Sequence, residues 1–251
     1  MTDWLDRLVE LESEINYRTP PPPGEPEFYH RAGRRPLLIS APHGAAHTRA
    51  GRIKDEEDYT AGMAFLLAEL TGAHALAAVA LSSTDPNWAA DAPYKFRLAE
   101  LVRRHRIRFV LDLHGAAAYR DFGIAIGTLH GRSCPPGVIL QVLHGHGFGE
   151  EATWLSRLDV DETFPGTGAD GQETITRFCA ETLHVKAAQL EVNAYLRVVR
   201  RRPLAAERNP FDGEPEHIRR TVAALADLVE QLIRTRWSFP PGTGIPRQPP
   251  A

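Results

Sequence analysis

Apolar positions along the chain follow two alternating rhythms. Trp4, Leu5, Leu8, Val9, Leu11 and Ile15 recur at helical spacing and predict an amphipathic helix over residues 3–16. The run Thr19-Pro20-Pro21-Pro22-Pro23-Gly24 cannot continue that helix, so residues 19–26 read as an extended connector. Residues 36–41 form a short apolar run suited to a buried strand. Residues 55–70 then carry Met63, Leu66, Leu67 and Leu70 at helical spacing. A strand is predicted over 75–81, a helix over 94–106, and the sharpest strand over 108–113, running into His114-Gly115. Further strands are predicted at 123–129 and 187–192. A long closing helix at 215–235 places Ile218, Val222, Leu225, Val229 and Leu232 on one face. The Pro-rich residues 240–251 read as a surface tail. Strands alternating with helices predict a mainly parallel sheet covered on both faces. With no internal repeat, one domain spanning 1–251 is expected.

Composition narrows the function classes. At 251 residues, 43% hydrophobic and 24% charged, the chain is an ordinary globular sequence. Its formal charge of −3 gives no global pull toward nucleic acid or an anionic membrane. Arg200-Arg201-Arg202 and the basic end of the 94–106 helix read as solvated faces, without the aromatic interleaving of a nucleic-acid surface. No stretch approaches the ~18 apolar residues of a membrane span, and the acidic N-terminus lacks a signal-peptide pattern. Two cysteines, Cys134 and Cys179, make neither a disulfide framework nor a thiolate cluster. A cytoplasmic protein acting on a small molecule is expected.

The chemistry concentrates at strand ends, where open α/β sheets place their ligands. His43 follows the 36–41 strand and precedes Gly44; His114 follows the 108–113 strand and precedes Gly115. Each glycine is expected to let the backbone turn sharply. One such histidine is more often structural, but two with the same local grammar suggest a shared metal. A catalytic zinc takes three protein ligands and leaves a fourth position open. The Asp55-Glu56-Glu57-Asp58 cluster offers a third ligand, although acidic residues also favour a helix N-terminus for dipole reasons alone. Glu191 interrupts the apolar 187–192 strand, a costly position unless the carboxylate is paired, bound or functional. Facing activated water, it would serve as general base. Asp112, two residues before His114, shares its strand face and could orient an imidazole.

Several signatures are absent: no His-Glu-x-x-His, no Gly-x-Ser-x-Gly elbow and no P-loop occur. Gly166-Thr167-Gly168-Ala169-Asp170-Gly171 follows no buried strand and reads as a loop, as does His144-Gly145-His146-Gly147.

Taken in order, these residues resemble the N-formylglutamate amidohydrolase family, whose fold is related to the zinc carboxypeptidases. The resemblance runs from about residue 36 to 197. It is carried by Ser40-Ala41-Pro42-His43-Gly44, Glu57-Asp58-Tyr59-Thr60, Asp85-Pro86-Asn87, Leu111-Asp112-Leu113-His114-Gly115, Thr174-Ile175-Thr176-Arg177 and Gln189-Leu190-Glu191. It implies a three-layer α/β/α domain of the phosphorylase/hydrolase-like kind, with a mixed, mainly parallel central sheet and one Zn2+. His43, Glu57 and His114 would be ligands, with Glu56 or Asp58 as alternatives to Glu57, and Glu191 the base. Arg177 would hold a substrate carboxylate, with Asn87 and Asn193 near the substrate. The implied activity is hydrolysis of a small N-acyl amino acid such as N-formyl-L-glutamate. A carboxypeptidase-like or γ-glutamyl peptide hydrolase on the same scaffold, or a non-catalytic ligand-binding descendant, are the alternatives. The chain departs from the related carboxypeptidases at Ala46, where they place a glutamate. It departs from many family members at Trp88, where they place an arginine.

Overall fold

A computed structural model describes residues 3–149, 153–201 and 211–237. The expected tail at 240–251 lies outside them. The elements in chain order are α1 (Trp4–Ser13), β1 (Phe28–Arg31), β2 (Leu37–Ala41), β3 (His47–Arg49), β4 (Arg52–Lys54), α2 (Thr60–Thr71) and β5 (His74–Ala78). They continue with α3 (Pro93–His105), β6 (Phe109–Ala116), β7 (Ile124–Gly127), α4 (Gly137–Gly145), β8 (Leu158–Val160), α5 (Ile175–Arg177), β9 (Lys186–Asn193), α6 (Ala194–Arg197) and α7 (Pro215–Arg234). Most predicted elements are present within a few residues. The edge strand β1, the β3–β4 hairpin and β8 have no counterpart among the predicted elements; all are short and, His47 of β3 apart, exposed or half-buried, so they lack an apolar run. His144 and Gly145 close α4 rather than lying in a loop, and His146 Nε2 bonds Asp227 at 2.9 Å.

Seven strands form one sheet in the order β1-β5-β2-β6-β9-β7-β8. The central four, β5-β2-β6-β9, are parallel, whereas β1 and β7 pair antiparallel to β5 and β9. The sheet is therefore mixed and mainly parallel, with helices on both faces. Side chains alternate accordingly. Leu37, Ile39, Phe109, Leu111, Leu113, Ala188, Leu190 and Val192 enter one core, with apolar positions of α1, α2, α4 and α7. Leu38, Val110 and Ala187 enter the other, with Tyr94, Leu98 and Leu101 of α3 and Ile175 of α5. On this second face the strands become polar toward their C-terminal ends. Ser40, Asp112 and Gln189 lie side by side in register, and His114 faces Glu191 one pleat further on. The chain runs from β2 through α2 to β5, then back across through α3 to β6. The direction thus reverses between β2 and β6, the crevice position for a ligand in such sheets.

Cys134 and Cys179 are both free and buried. No described helix is long and apolar enough to cross a membrane.

The start of α2 is set from another helix. The sequence predicts this helix from residue 55, yet it begins at Thr60, because Tyr59 adopts a left-handed conformation (φ 66°) and offers no side-chain cap. Buried Glu12 of α1 takes over that task. Its carboxylate accepts from the Tyr59 N–H (2.7 Å), the Gly62 N–H (2.8 Å) and the Tyr17 hydroxyl. An anion here satisfies donors that an α-helix leaves open at its N-terminus and meets the positive end of its dipole. Position 62 must be glycine for this contact, since a Cβ there would lie 2.6 Å from Glu12 Oε2. Replacing Glu12 by Ala orphans these buried donors. Urea denaturation of Glu12→Ala should therefore show a loss of about 2–4 kcal/mol, whereas a change within about 0.5 kcal/mol would remove Glu12 from this role.

Candidate functional site

The polar ends of β2, β6 and β9 open into a cleft of about 540 Å³. His43 stands just beyond β2, and His114 sits within β6. Glu57 comes from the segment before α2, where its N–H donates to the His43 carbonyl (2.9 Å) and its own carbonyl accepts from the Thr60 hydroxyl (2.8 Å). The Glu57 carboxylate lies between the two imidazoles, with Oε1 2.8 Å from His43 Nδ1 and Oε2 3.1 Å from His114 Nδ1. The backbone N–H of Gly115 also donates to Oε2 (2.9 Å). Of the acidic cluster, only Glu57 turns to the histidines. Glu56 is paired with Arg18 (3.0 Å) and Asp58 with Arg201 (2.9 Å).

The opposite nitrogens of the two rings are also engaged. His43 Nε2 is 2.9 Å from Asp85 Oδ1, and His114 Nε2 is 3.2 Å from Asp112 Oδ2. Carboxylates on both Nε2 atoms leave both Nδ1 atoms facing Glu57. Two imidazole nitrogens and a carboxylate oxygen thus converge, a donor set that can hold a metal ion, with carboxylates behind each ring to fix its orientation. The role of Asp112 follows from strand periodicity. That of Asp85 does not, although Asp85-Pro86-Asn87 carries part of the family resemblance; it reaches His43 only through the fold.

The glycines after the histidines act differently from expectation. Neither Gly44 nor Gly115 has a positive φ. They permit close approach instead. A Cβ on Gly44 would lie 2.6 Å from the Ala78 carbonyl, and one on Gly115 would lie 2.5 Å from Arg197 Nη2. Buried Arg197 bonds the carbonyls of Asp58, Ala116 and Val192, all at 2.9 Å, and so ties the backbone around the site together.

Glu191 lines the cleft beside these residues and accepts from Gln189 Nε2 (2.9 Å). Burial, reinforced by the charge on Glu57 and opposed by His114, pushes its carboxyl up to about 7. Burial works against charge on His43, but Glu57 and Asp85 together outweigh it and raise that imidazole to about 9. His114 is likewise raised, by Asp112 and Glu57 against burial. Burial also opposes ionisation of Glu57, yet the two histidines hold it well below the usual carboxylate range. His47 stacks on His43 with ring centroids 4.0 Å apart, and burial pushes it down to about 3.

Asn87 lines the cleft, with Oδ1 accepting from the Ile175 N–H (2.8 Å). Two sequence-derived candidates do not come to it. The Arg177 guanidinium is 43% exposed and pairs with Glu181 (2.8 Å), one turn along its own segment, because position 177 faces outward from α5. The Asn193 amide is buried and donates to the carbonyls of Arg120 (3.2 Å) and Phe122 (3.0 Å), while its oxygen caps α6. It is a loop fastener. In their place the fold brings Arg49 and Arg120, which sequence reading missed because neither belongs to a motif. Arg49 lies over the Trp88 ring at 5.0 Å and bonds Asp85. Arg120 lies over Phe164 at 5.1 Å, and among the described residues it has no carboxylate partner. Residues Thr163 to Ala169, which overlap the 166–171 stretch read as a loop, also line the cleft.

No family model matches the sequence, and no curated protein sequence matches it. The solved structures that this one is similar to include the following three. A bacteriophage poly-gamma-glutamate hydrolase shares 14% identity over 82% of this chain and 89% of that one, with a TM-score of 0.48. Succinylglutamate desuccinylase from Chromobacterium violaceum shares 15% over 94% and 78%, with a TM-score of 0.45. A putative carboxypeptidase A from Shewanella denitrificans shares 13% over 92% and 68%, with a TM-score of 0.48. Likeness at this level carries no information about chemistry, which has to come from the residues of the cleft.

The raised histidines make the metal-free protein sensitive to pH. Their folded-state values lie above the ordinary 6.5, so their contribution to stability is complete below that pH. For His43 it should be lost as pH rises through about 9. Thermal melts of chelator-treated protein should fall across this window, and His43→Gln should flatten the slope. A wild-type melting temperature that stays level or rises would contradict the charged pair.

Proposed function

We propose that this chain is a zinc-dependent amidohydrolase acting on a small N-acyl amino acid that bears a carboxylate, N-formyl-L-glutamate or a close relative. The observation that carries the reading is the pair of Nδ1 atoms converging on the Glu57 carboxylate, each ring backed by an aspartate. Zinc held by His43, Glu57 and His114 would supply Lewis-acid polarisation of an amide carbonyl and water acidified toward neutral pH.

The chain's own residues account for the rest. Glu191, its carboxyl raised to about 7, is poised both to accept a proton and to return it around neutral pH. It accepts the proton released as water adds to the amide carbon and delivers it to the departing amine nitrogen. Gln189 holds one Glu191 oxygen and so fixes the direction of that transfer. Asn87, which borders the cleft, is assigned to the reacting carbonyl. The substrate carboxylate is assigned to Arg120, with Arg49 as a second cation, because both line the cleft and guanidinium suits a carboxylate. Arg49 also answers the departure at Trp88: a cation lies over the residue that replaces one in many members of the resembled family. A cleft of about 540 Å³ is a small-molecule size.

The test combines metal content with a substrate panel of N-acyl amino acids against short peptides, using protein purified without a histidine tag. Wild type should turn over an N-acyl amino acid with zinc present, and His114→Ala should lose both the metal and the activity. Glu191→Gln should lower kcat by roughly 10²–10⁴-fold while zinc stays bound. Retained turnover near the wild-type rate would exclude Glu191 as base. Arg120→Ala should raise KM roughly 10-fold or more with kcat nearly unchanged; if KM does not move, the carboxylate is held elsewhere.

A further inference from the structure

A second set of histidines lies away from the cleft. His30 on β1, His74 at the start of β5 and His105 in the last turn of α3 meet at the outer edge of the sheet. The cleft opens at the C-terminal ends of the parallel strands; His74 begins β5, so this cluster belongs to the opposite end. His30 and His74 lie end to end, their planes 7° apart and their centroids 5.6 Å apart. His105 closes on them, its centroid 4.3 Å from His74 and 5.6 Å from His30. One ring nitrogen from each lies within 4.8 Å of the others.

Hydrogen bonding leaves this cluster short of partners. His74 Nδ1 accepts from the Gly33 N–H (3.1 Å) and lies 3.3 Å from His30 Nε2. Among the described residues no carboxylate bonds or pairs with any of the three rings. Three imidazoles held together without a counter-charge make a poor ion-pair network but a suitable set of nitrogen donors. His105 stands at a helix C-terminus, the negative end of the dipole, while burial and the neighbouring rings push both His30 and His74 down to about 4, which keeps these two imidazoles neutral and able to donate a lone pair. Arg97 and Arg104 of the same helix add positive charge beside His30, although each also pairs with Glu100 (2.6 and 3.9 Å).

We infer that His30, His74 and His105 form a second divalent-metal site, of the imidazole-only type that suits zinc, copper or nickel rather than magnesium or calcium. Zinc at ~2.0–2.1 Å from each nitrogen requires nitrogens roughly 3.3–3.5 Å apart. His30 Nε2 and His74 Nδ1 are 3.3 Å apart but point at each other, and all three nitrogens lie within 4.8 Å, so binding requires the rings to turn toward a shared ion and His105 to close in. The metal would take the lone pairs of His30 Nε2 and His74 Nδ1, so His30 would carry its proton at Nδ1 and the Gly33 N–H would give up its bond to His74. The metal would pin the edge strand β1 and the end of α3 to β5, so its effect falls on stability rather than on turnover. Two of the three ligands are only half-buried, which leaves room for water or an added ligand at a fourth position.

The probe is zinc alone, counted by elemental analysis after chelator stripping and dialysis against Zn2+, on protein without a histidine tag. Four proteins are compared: wild type, His114→Ala, the pair His30→Gln/His105→Gln, and the triple variant. Expected zinc is about two equivalents in wild type, about one in each of the next two, and none in the triple variant. Zinc should also raise the melting temperature of His114→Ala, but not that of the triple variant. The His30→Gln/His105→Gln protein should keep its zinc-dependent activity. If that protein binds as much zinc as wild type, the second site is overturned. If it loses one equivalent while His114→Ala loses none, the second site stands and the cleft assignment fails. Each single variant, His30→Gln and His105→Gln, melted without zinc, guards against misreading a folding defect as metal loss.

Discussion

The site is organised by one carboxylate held between two imidazoles. Glu57 takes a hydrogen bond from each Nδ1 and a third from the Gly115 backbone, so it fixes the spacing between the end of β2 and the end of β6. Such an arrangement is stable only because charge is matched on every side. Buried imidazoles would otherwise stay neutral, and a carboxylate this enclosed would take up a proton. Asp85 and Asp112 extend the alternation outward, and Arg49 extends it again from Asp85. Breaking any member leaves a buried charge uncompensated, which is far more costly than losing a surface pair.

The sheet supplies the other constraint. Parallel register sets His114 beside Glu191, and Ser40, Asp112 and Gln189 in a row before them. These residues share a face with Leu38, Val110 and Ala187, so one side of the sheet is apolar where α3 covers it and polar beyond. Strand alternation then keeps Leu111, Leu113, Leu190 and Val192 on the opposite, fully apolar face. Chemistry and packing occupy the same strands without competing for the same side chains.

The first turn of α2 links the two layers. Glu12 of α1 caps it from behind, while Glu57 and Asp58 leave it toward the histidines and Arg201. A carboxylate contributed by a separate helix thereby positions the loop that carries the site. The left-handed Tyr59 is held in place by that contact and by its hydroxyl bond to the Arg200 carbonyl (2.9 Å).

Local pattern alone determined much of this. Apolar runs and helical spacing predict the four central parallel strands and the long helices, because burial on both faces leaves a near-continuous apolar signature. His43, His114 and Glu191 were legible because each is a polar residue placed at the end of such a run. Asp112 was legible through its two-residue offset from His114. The remainder depends on contacts that sequence spacing does not encode. Which of Glu56, Glu57 and Asp58 reaches the histidines was decided by Arg18 and Arg201, which draw the other two away. Asp85 meets His43 across 42 positions of chain, and Arg49 and Arg120 reach the cleft through loops with no periodicity. Arg177 and Asn193 carried the right chemistry in the right order. The rotation of a short helix turned one outward, and the carbonyls of a neighbouring loop claimed the other. A sequence specifies which strands can be buried and where polarity interrupts them; the direction of each side chain is fixed only when the strands and loops around it have packed.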